Sequence, residues 1–151
     1  MSCSYDCNFI LIFNVPVQVA LKKGEIKLDI VTFILQGILG LMFLMAGFGK
    51  ITGLKMHVEN FKHWRLPQWF RVVTGFIELV GAAALIVGYW DPSWTAAGAL
   101  VLGITSIGGI LTHFRVKDSL KQTFPIIFLA IISIAVFLIR LSDLSDFPGF
   151  N

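Results

Sequence analysis

Glu78 is the side chain in this sequence whose position most requires a chemical explanation. It lies in the apolar run Phe70–Tyr89, the only one of four long apolar runs with an acid inside it. As a helix this run is about 30 Å long, enough to cross the hydrocarbon core of a bilayer. A carboxylate at that depth costs several kcal/mol unless it is protonated, paired or facing a cavity. Three interpretations remain open: an interhelical hydrogen bond that locks a bundle, a binding or proton-handling role, and a neutral lipid-facing side chain.

Two cations are candidate neighbours of Glu78, and with it they form the proposed polar site. Arg71, Thr74 and Glu78 recur at helical spacing and share one face. Arg71 stands about 10 Å from Glu78 along the helix axis, so the two side chains approach without closing fully. Lys50 ends the preceding apolar run, where a lysine either anchors the helix at the interface or reaches back to Glu78. Glu78 and Lys50 are therefore the leading candidates for chemistry.

Ser106 and His113 are further candidates for contacts with a ligand, together with Arg71 and Thr74. His113 closes the third apolar run, and Ser106 lies on a nearby turn. A histidine at a helix end is more typical of an interfacial group than of a ligand-binding group. His57 and His63 are six residues apart, and no histidine pair has the spacing of a metal or haem site. We expect no metal.

The composition indicates an integral membrane protein, with the lipid bilayer as its partner. The chain has 151 residues, of which 56% are hydrophobic and 14% charged, whereas soluble domains have about a quarter charged. Basic residues flank the apolar runs, so no nucleic-acid partner is expected. The four runs, 30–49, 70–89, 94–111 and 123–141, are each long enough to span. They predict an all-α membrane four-helix bundle.

The connections between the runs predict an orientation and one additional helix. The first and third connections are basic, whereas the second carries only Asp91, so both termini are predicted to face outward from the cytoplasm. Within the first connection, Leu54–Trp64 has apolar residues at helical spacing opposite lysines and a glutamate. This pattern predicts a short amphipathic helix in the headgroup layer between the first two spans. Its expected role is to orient the hairpin, with a docking surface for a partner protein as the alternative.

Residues 1–27 fit this organisation poorly and are predicted to be a doubtful extension of a membrane domain at 28–151. The run Phe9–Leu21 is too short to span and contains Pro16, and the lysines after it would lie on the outer side. Lys22-Lys23-Gly24-Glu25 can be encoded by a purine-rich ribosome-binding sequence, which would place a start codon at Leu28. Cys3 and Cys7 also lie in this segment, so the apolar spans contain no thiol.

Several short motifs in this order resemble the DoxX family. They are GLMFLMAGFGKITG at 40–53, Leu66-Pro67, Thr74-Gly75 leading to Glu78 and Gly81, and Gly88. The resemblance covers about residues 30–140. It implies a four-helix bacterial membrane protein associated with oxidoreductases, with relatives linked to thiosulfate oxidation that uses quinone as acceptor and to oxidative or quinone stress. By this resemblance, Lys50 and Glu78 are the positions that carry over.

These observations lead to one principal expectation and two alternatives. The principal expectation is an accessory subunit in the bacterial cytoplasmic membrane that binds a quinone or another small apolar ligand, or that anchors a soluble oxidoreductase. Glu78 would supply a hydrogen bond or a proton to the ligand. Without a thiol in the spans, electrons would have to come from a bound quinone or a partner, and whether the chain is itself an enzyme is left open. The alternatives are a non-catalytic scaffold and, less favoured, a small permease that would have to be a homo-oligomer.

Overall fold

The structure is a computed structural model that describes the backbone of residues 6–147 and the side chains of residue 24 and residues 26–147. The chain divides into two compact units, Met1–Phe33 and Ile34–Asn151. The described residues form five α-helices and a 3-10 helix and contain no strand. The helices are α1 (Asp6–Thr52), α2 (Lys55–His63), α3 (Gln68–Val87), α4 (Pro92–Arg115) and α5 (Leu120–Ile139), followed by the 3-10 helix Leu141–Asp146.

Four of these helical segments are long and apolar enough to cross a membrane, which confirms the predicted fold class. They are Ile26–Thr52, Gln68–Val87, Pro92–Arg115 and Leu120–Ile139. The short amphipathic helix is confirmed as α2. Large apolar side chains remain exposed along the spans, as a lipid environment requires, among them Leu41, Met45, Phe48, Val80, Ile104, Leu111, Phe128 and Ile131. The chain is a multi-pass membrane protein.

The first helix is longer than the sequence pattern predicts. It begins at Asp6 and includes both the short run Phe9–Leu21 and Cys7. Most residues of the charged segment 22–27 are good helix formers, so the helix continues through them without a break. Cys3 lies outside the described residues. The proposal that translation starts at Leu28 stays a prediction.

The ends of the later helices are fixed by recognisable caps. The Asp91 carboxylate accepts hydrogen bonds from the Ser93 backbone N–H at 3.0 Å and from its hydroxyl at 2.7 Å, with Pro92 in the first turn of α4. Ser119 and Gln122 form a capping box at the start of α5. These caps satisfy polar groups at the starts of α4 and α5 and define where the two helices begin.

Glycines allow the spans of the second unit to cross almost backbone to backbone. A Cβ added to Gly47 on α1 would lie 2.8 Å from the Gly75 carbonyl oxygen on α3, and one added to Gly98 on α4 would lie 2.8 Å from the Gly81 oxygen. Close approach through small residues is the usual way in which membrane helices pack. Gly75 and Gly81 therefore pack directly against the neighbouring spans. Around these crossings lies an apolar core formed by Leu39, Phe43, Ala82, Leu85, Ala99, Leu102, Leu129, Ile132 and Val136.

A buried polar network joins three spans at the end of the bundle opposite Lys50. The Gln36 side-chain amide donates to the Leu85 carbonyl at 2.5 Å, and its oxygen accepts from the Thr95 hydroxyl at 3.2 Å. The same hydroxyl lies 3.0 Å from the Gly88 carbonyl. Interhelical hydrogen bonds of this kind hold α1, α3 and α4 together where no water can replace them. No local sequence pattern predicted this network.

Candidate functional site

Lys50 and Glu78 form a buried ion pair between α1 and α3. The Lys50 ammonium donates a hydrogen bond to Glu78 Oε1, and the side chains are 15% and 3% exposed. The pair lies beside the Gly47–Gly75 crossing, where an added Cβ on Gly75 would be 3.0 Å from Lys50 Cβ. The close crossing therefore places the lysine beside the second span. Of the two interpretations of Lys50, the structure shows the one in which it reaches back to Glu78.

The second carboxylate oxygen of Glu78 is the unusual atom of this pair. Oε2 is buried and has no hydrogen-bond partner among the described residues. Buried polar atoms almost always have a partner, and an unsatisfied one costs about 1–3 kcal/mol. Glu78 thus keeps an acceptor, or a site for a proton, that the protein itself does not use.

Arg71 is directed to the connection between α1 and α2 rather than to Glu78. Its Nε donates to Gln68 Oε1 at 2.9 Å, and the guanidinium covers Gly53, which has φ +74° in the turn that ends α1. Its Nη1 is buried without a partner among the described residues. Together with burial and with Lys50, the Arg71 charge lowers the pKa of the His57 imidazole in α2. Arg71 therefore supplies positive charge near the pair without contacting the carboxylate.

A cavity of about 360 Å³ opens beside the ion pair. This volume is within the range of small-molecule sites in proteins, which are concave and mostly apolar with a few polar groups. Four of the six predicted site residues line it, namely Lys50, Glu78, Thr74 and His113. The rest of the wall comes from Phe61, Trp64, Leu66, Phe70, Ile77, Ile104, Thr105, Gly108, Gly109, Thr112 and Ile126.

The threonines in the wall present acceptors rather than donors to the cavity. The Thr74 hydroxyl donates to the Arg71 carbonyl at 2.9 Å, Thr105 to Val101 at 2.8 Å and Thr112 to Gly108 at 2.9 Å. Each hydroxyl proton is thus used by the backbone of its own helix. Lys50, by contrast, has donors to spare, because an ammonium has three protons and one of them is bonded to Glu78.

Ser106 does not belong to the cavity wall. Its side chain is fully buried and donates to the Leu102 carbonyl at 2.8 Å, one turn earlier in α4. Serine in a helix interior commonly satisfies itself in this way. Ser106 and Arg71 are the two predicted contact residues that the structure places outside the lining.

His113 also lines the cavity and is held by a carboxylate that no local sequence pattern predicted. Asp118 Oδ2 lies 2.7 Å from His113 Nδ1 and accepts from Trp64 Nε1 at 3.0 Å, while Oδ1 lies 2.8 Å from His63 Nε2. Burial alone raises the pKa of the Asp118 carboxyl, but hydrogen bonds from His63, Trp64 and His113 together lower it. Asp118 therefore stays ionised and fastens α2 to the end of α4. Its one sequence signal is that it is the only acid in the third, basic connection.

Comparison with known proteins gives a family and a relative without an assigned function. The sequence pattern described as the DoxX-like family matches residues 34–135. The chain is 32% identical over 100 residues to the Bacillus subtilis (strain 168) protein YdgD, itself uncharacterised, and this match covers 65% of the chain and 87% of the relative. No solved structure matches the chain.

Proposed function

The chain belongs to the DoxX-like family, and from this premise we propose that it binds a small apolar molecule with a hydrogen-bonding head, such as a quinone, in the cavity beside Lys50 and Glu78. The observation that carries the proposal is that Glu78, whose buried Oε2 has no partner among the described residues, lines a largely apolar cavity. A ligand atom that bonds to this oxygen would remove its desolvation cost.

The polar groups of the wall suit the two redox forms of a quinone. A quinone carbonyl only accepts hydrogen bonds, and the spare donors of Lys50 can supply them. A quinol hydroxyl donates, and Glu78 Oε2 or the Thr74 oxygen can accept. Apolar side chains such as Ile77 and Phe70 would contact the ring of either form. Both forms can thus occupy the same cavity.

The position of the cavity supports delivery of the ligand from the bilayer. Phe70, Ile77 and Ile104 line the cavity and are also exposed on the flanks of α3 and α4. In a membrane, exposed apolar side chains of a span face lipid. A ligand dissolved among the lipid tails can therefore reach the polar pair without passing through water.

The proposed role is that of an accessory subunit in the bacterial cytoplasmic membrane. Residues 8–151 contain no cysteine, so the spans carry no thiol for electron transfer. Electrons for quinone chemistry would come from a soluble oxidoreductase docked on the predicted cytoplasmic side, where α2 and the basic connections lie. This role would connect the chain to redox or quinone-stress systems.

Quinone binding can be measured by fluorescence in lipid nanodiscs. Trp64 lies in the cavity wall, and replacing Trp69, Trp90 and Trp94 with Phe leaves it as the only tryptophan. Titration with menadione should quench this fluorescence to saturation in the folded protein. Glu78→Gln should weaken the binding of menadiol, titrated in the same way under anaerobic conditions, by at least tenfold, because the quinol hydroxyl loses its charge-assisted hydrogen bond to the carboxylate, which contributes about 1.5–3 kcal/mol.

The matched control is Glu59→Gln, since Glu59 is 62% exposed on α2 and outside the cavity wall. This control should bind like the parent protein. Quenching that rises without saturation, with the same slope in the parent and in Glu78→Gln, would reflect partitioning into lipid and would refute the proposal.

A second candidate function is a non-catalytic scaffold, and the Lys50–Glu78 hydrogen bond itself favours it. In a scaffold the pair locks α1 to α3 and the cavity has no occupant. Glu78→Gln would then reduce the yield of folded protein in detergent. Loss of protection against quinone stress in cells with a normal folded yield would support the binding function instead.

A further inference from the structure

We propose that His113, positioned by Asp118, is the second polar contact of the cavity ligand and selects between its redox forms through its own protonation. This inference rests on the proposed function, because it concerns the same cavity. It assigns a specificity role to one wall residue and a positioning role to Asp118, which does not line the cavity.

The hydrogen bonds around Asp118 fix the chemical state of His113. An ionised carboxylate only accepts, so the nitrogen 2.7 Å from Asp118 Oδ2 must carry a proton. That nitrogen is Nδ1, which leaves Nε2 as the atom that gains or loses a proton. When the ring is neutral, Nε2 is an acceptor, and when the ring is protonated, Nε2 is a donor.

The orientation of the imidazole is fixed from two sides. The Trp64 ring packs edge-on against it with centroids 4.9 Å apart, and the Trp64 indole N–H bonds to the same Asp118 oxygen at 3.0 Å. The His113 side chain is 13% exposed and lines the cavity. A ring held in this way cannot turn away from a ligand without breaking its bond to Asp118.

The same carboxylate connects the site to the exterior of the protein. His63 is 59% exposed, and its Nε2 lies 2.8 Å from Asp118 Oδ1. Two hydrogen bonds thus join an exposed imidazole to one in the cavity wall. The other ionisable groups that face the cavity are Lys50 and Glu78.

The protonation of His113 has opposite consequences for the two forms of a quinone. Quinone carbonyls need a donor, so the imidazolium favours the oxidised form. Quinol hydroxyls need an acceptor, so the neutral ring favours the reduced form. The preference of the cavity should therefore reverse when the imidazole gains or loses its second proton.

The test compares the affinities for menadione and menadiol at pH 5.5 and pH 8, with the full chain in nanodiscs under anaerobic conditions. In the parent protein, the ratio of the two dissociation constants should change about tenfold between these pH values, in the direction that favours quinone at low pH. The ratio should be nearly constant in His113→Gln. His57→Gln is the matched control, because His57 does not line the cavity, and it should retain the pH dependence of the parent.

A measurement without substitution covers the case in which His113→Gln does not fold. In protein labelled with ¹⁵N-histidine, menadione should move the titration of His113 to higher pH and menadiol should move it to lower pH. Asp118→Asn should weaken both displacements, because its neutral amide no longer holds the ring with a charge-assisted bond.

The outcomes separate this inference from the proposed function. The role of His113 is overturned if binding is saturable but the ratio of the two dissociation constants in the parent protein does not depend on pH. It is also overturned if His113→Gln keeps the pH dependence of the parent. In either case the cavity remains a binding site. The absence of saturable binding of either molecule overturns the proposed function itself.

Discussion

Replacing Lys50 with methionine should destabilise the protein by an amount that depends on pH. Methionine keeps most of the apolar stem of lysine and removes its charge, so Glu78, 3% exposed, loses its partner. An unpaired buried charge costs about 3–5 kcal/mol. The alternative is that the carboxyl takes up a proton. Starting from a peptide pKa of about 4.3, this costs about 3.7 kcal/mol at pH 7 and about 1 kcal/mol at pH 5.

The measured loss of stability is set by whichever costs less free energy, keeping Glu78 charged without a partner or protonating it. In Lys50→Met, the folded state binds a proton at Glu78 that the unfolded state releases above about pH 4.3. The stability of the variant should therefore fall, relative to the parent, by about 1.4 kcal/mol for each pH unit above that value. The expected loss in the free energy of unfolding is about 1 kcal/mol at pH 5 and close to 4 kcal/mol at pH 7.

The assay is reversible unfolding of the protein in mixed micelles by added SDS, followed by tryptophan fluorescence at both pH values. Lys55→Met is the matched control, because Lys55 is 89% exposed and its contact with Glu59 is 3.8 Å long. Exposed pairs contribute about 0–1 kcal/mol, so this control should change little at either pH. A loss in Lys50→Met that is equal at pH 5 and pH 7, or as small as in the control, would refute the reasoning.

Four further predictions concern packing and pH. Gly75→Ala should lower the free energy of unfolding by about 1–3 kcal/mol, because its Cβ would lie 2.9 Å from the Gly47 carbonyl oxygen. Gly108→Ala, with no atom within 4 Å of the added Cβ, should be neutral or slightly stabilising in the same SDS titration. His57→Gln should reduce the loss of stability on acidification, since the lowered pKa of folded His57 means that only the unfolded state takes up a proton just below pH 6.5. Asp118→Asn should lower the melting temperature at pH 7 more than at pH 3, because the stability from a lowered carboxyl pKa is present above about pH 3.8 and is lost as the pH falls through the folded value. An equal change in melting temperature at both pH values would contradict the conclusion that Asp118 stabilises the fold as an ionised carboxylate.

The sequence predicted the fold because the fold depends on local pattern, and it left the Lys50–Glu78 contact as one of two interpretations of Lys50. Four apolar runs of membrane length require four helices, and an acid inside one of them requires a partner. Lys50 was a candidate partner because it ends the neighbouring helix, where a lysine can also anchor the helix at the interface. The length of α1 was missed because a charged segment after a short apolar run resembles a boundary, although most of its residues continue a helix readily.

The remaining parts of the site depend on contacts that no local pattern records. Arg71 bonds Gln68, three residues away on the same helix, and this nearer partner prevails over Glu78, seven residues away. Asp118 binds His63 and Trp64 at sequence separations of 55 and 54 residues. A cavity is the space that side chains leave unfilled, so it becomes visible only when all of its walls are in place.

Because apolar side chains surround the opening of the cavity, occupancy of the proposed site depends on the concentration of the ligand in the bilayer. A ligand that enters past Phe70, Ile77 and Ile104 meets the protein at its mole fraction among the lipids, not at its concentration in water. The bilayer itself then performs the first selection, since polar metabolites never reach this opening at comparable density. A modest intrinsic affinity would keep the site occupied by an abundant lipid-soluble molecule, and occupancy would follow the composition of the membrane pool. With Glu78 as an acceptor and Lys50 as a donor, the chain would respond to the state of that pool rather than to the amount of any single soluble compound.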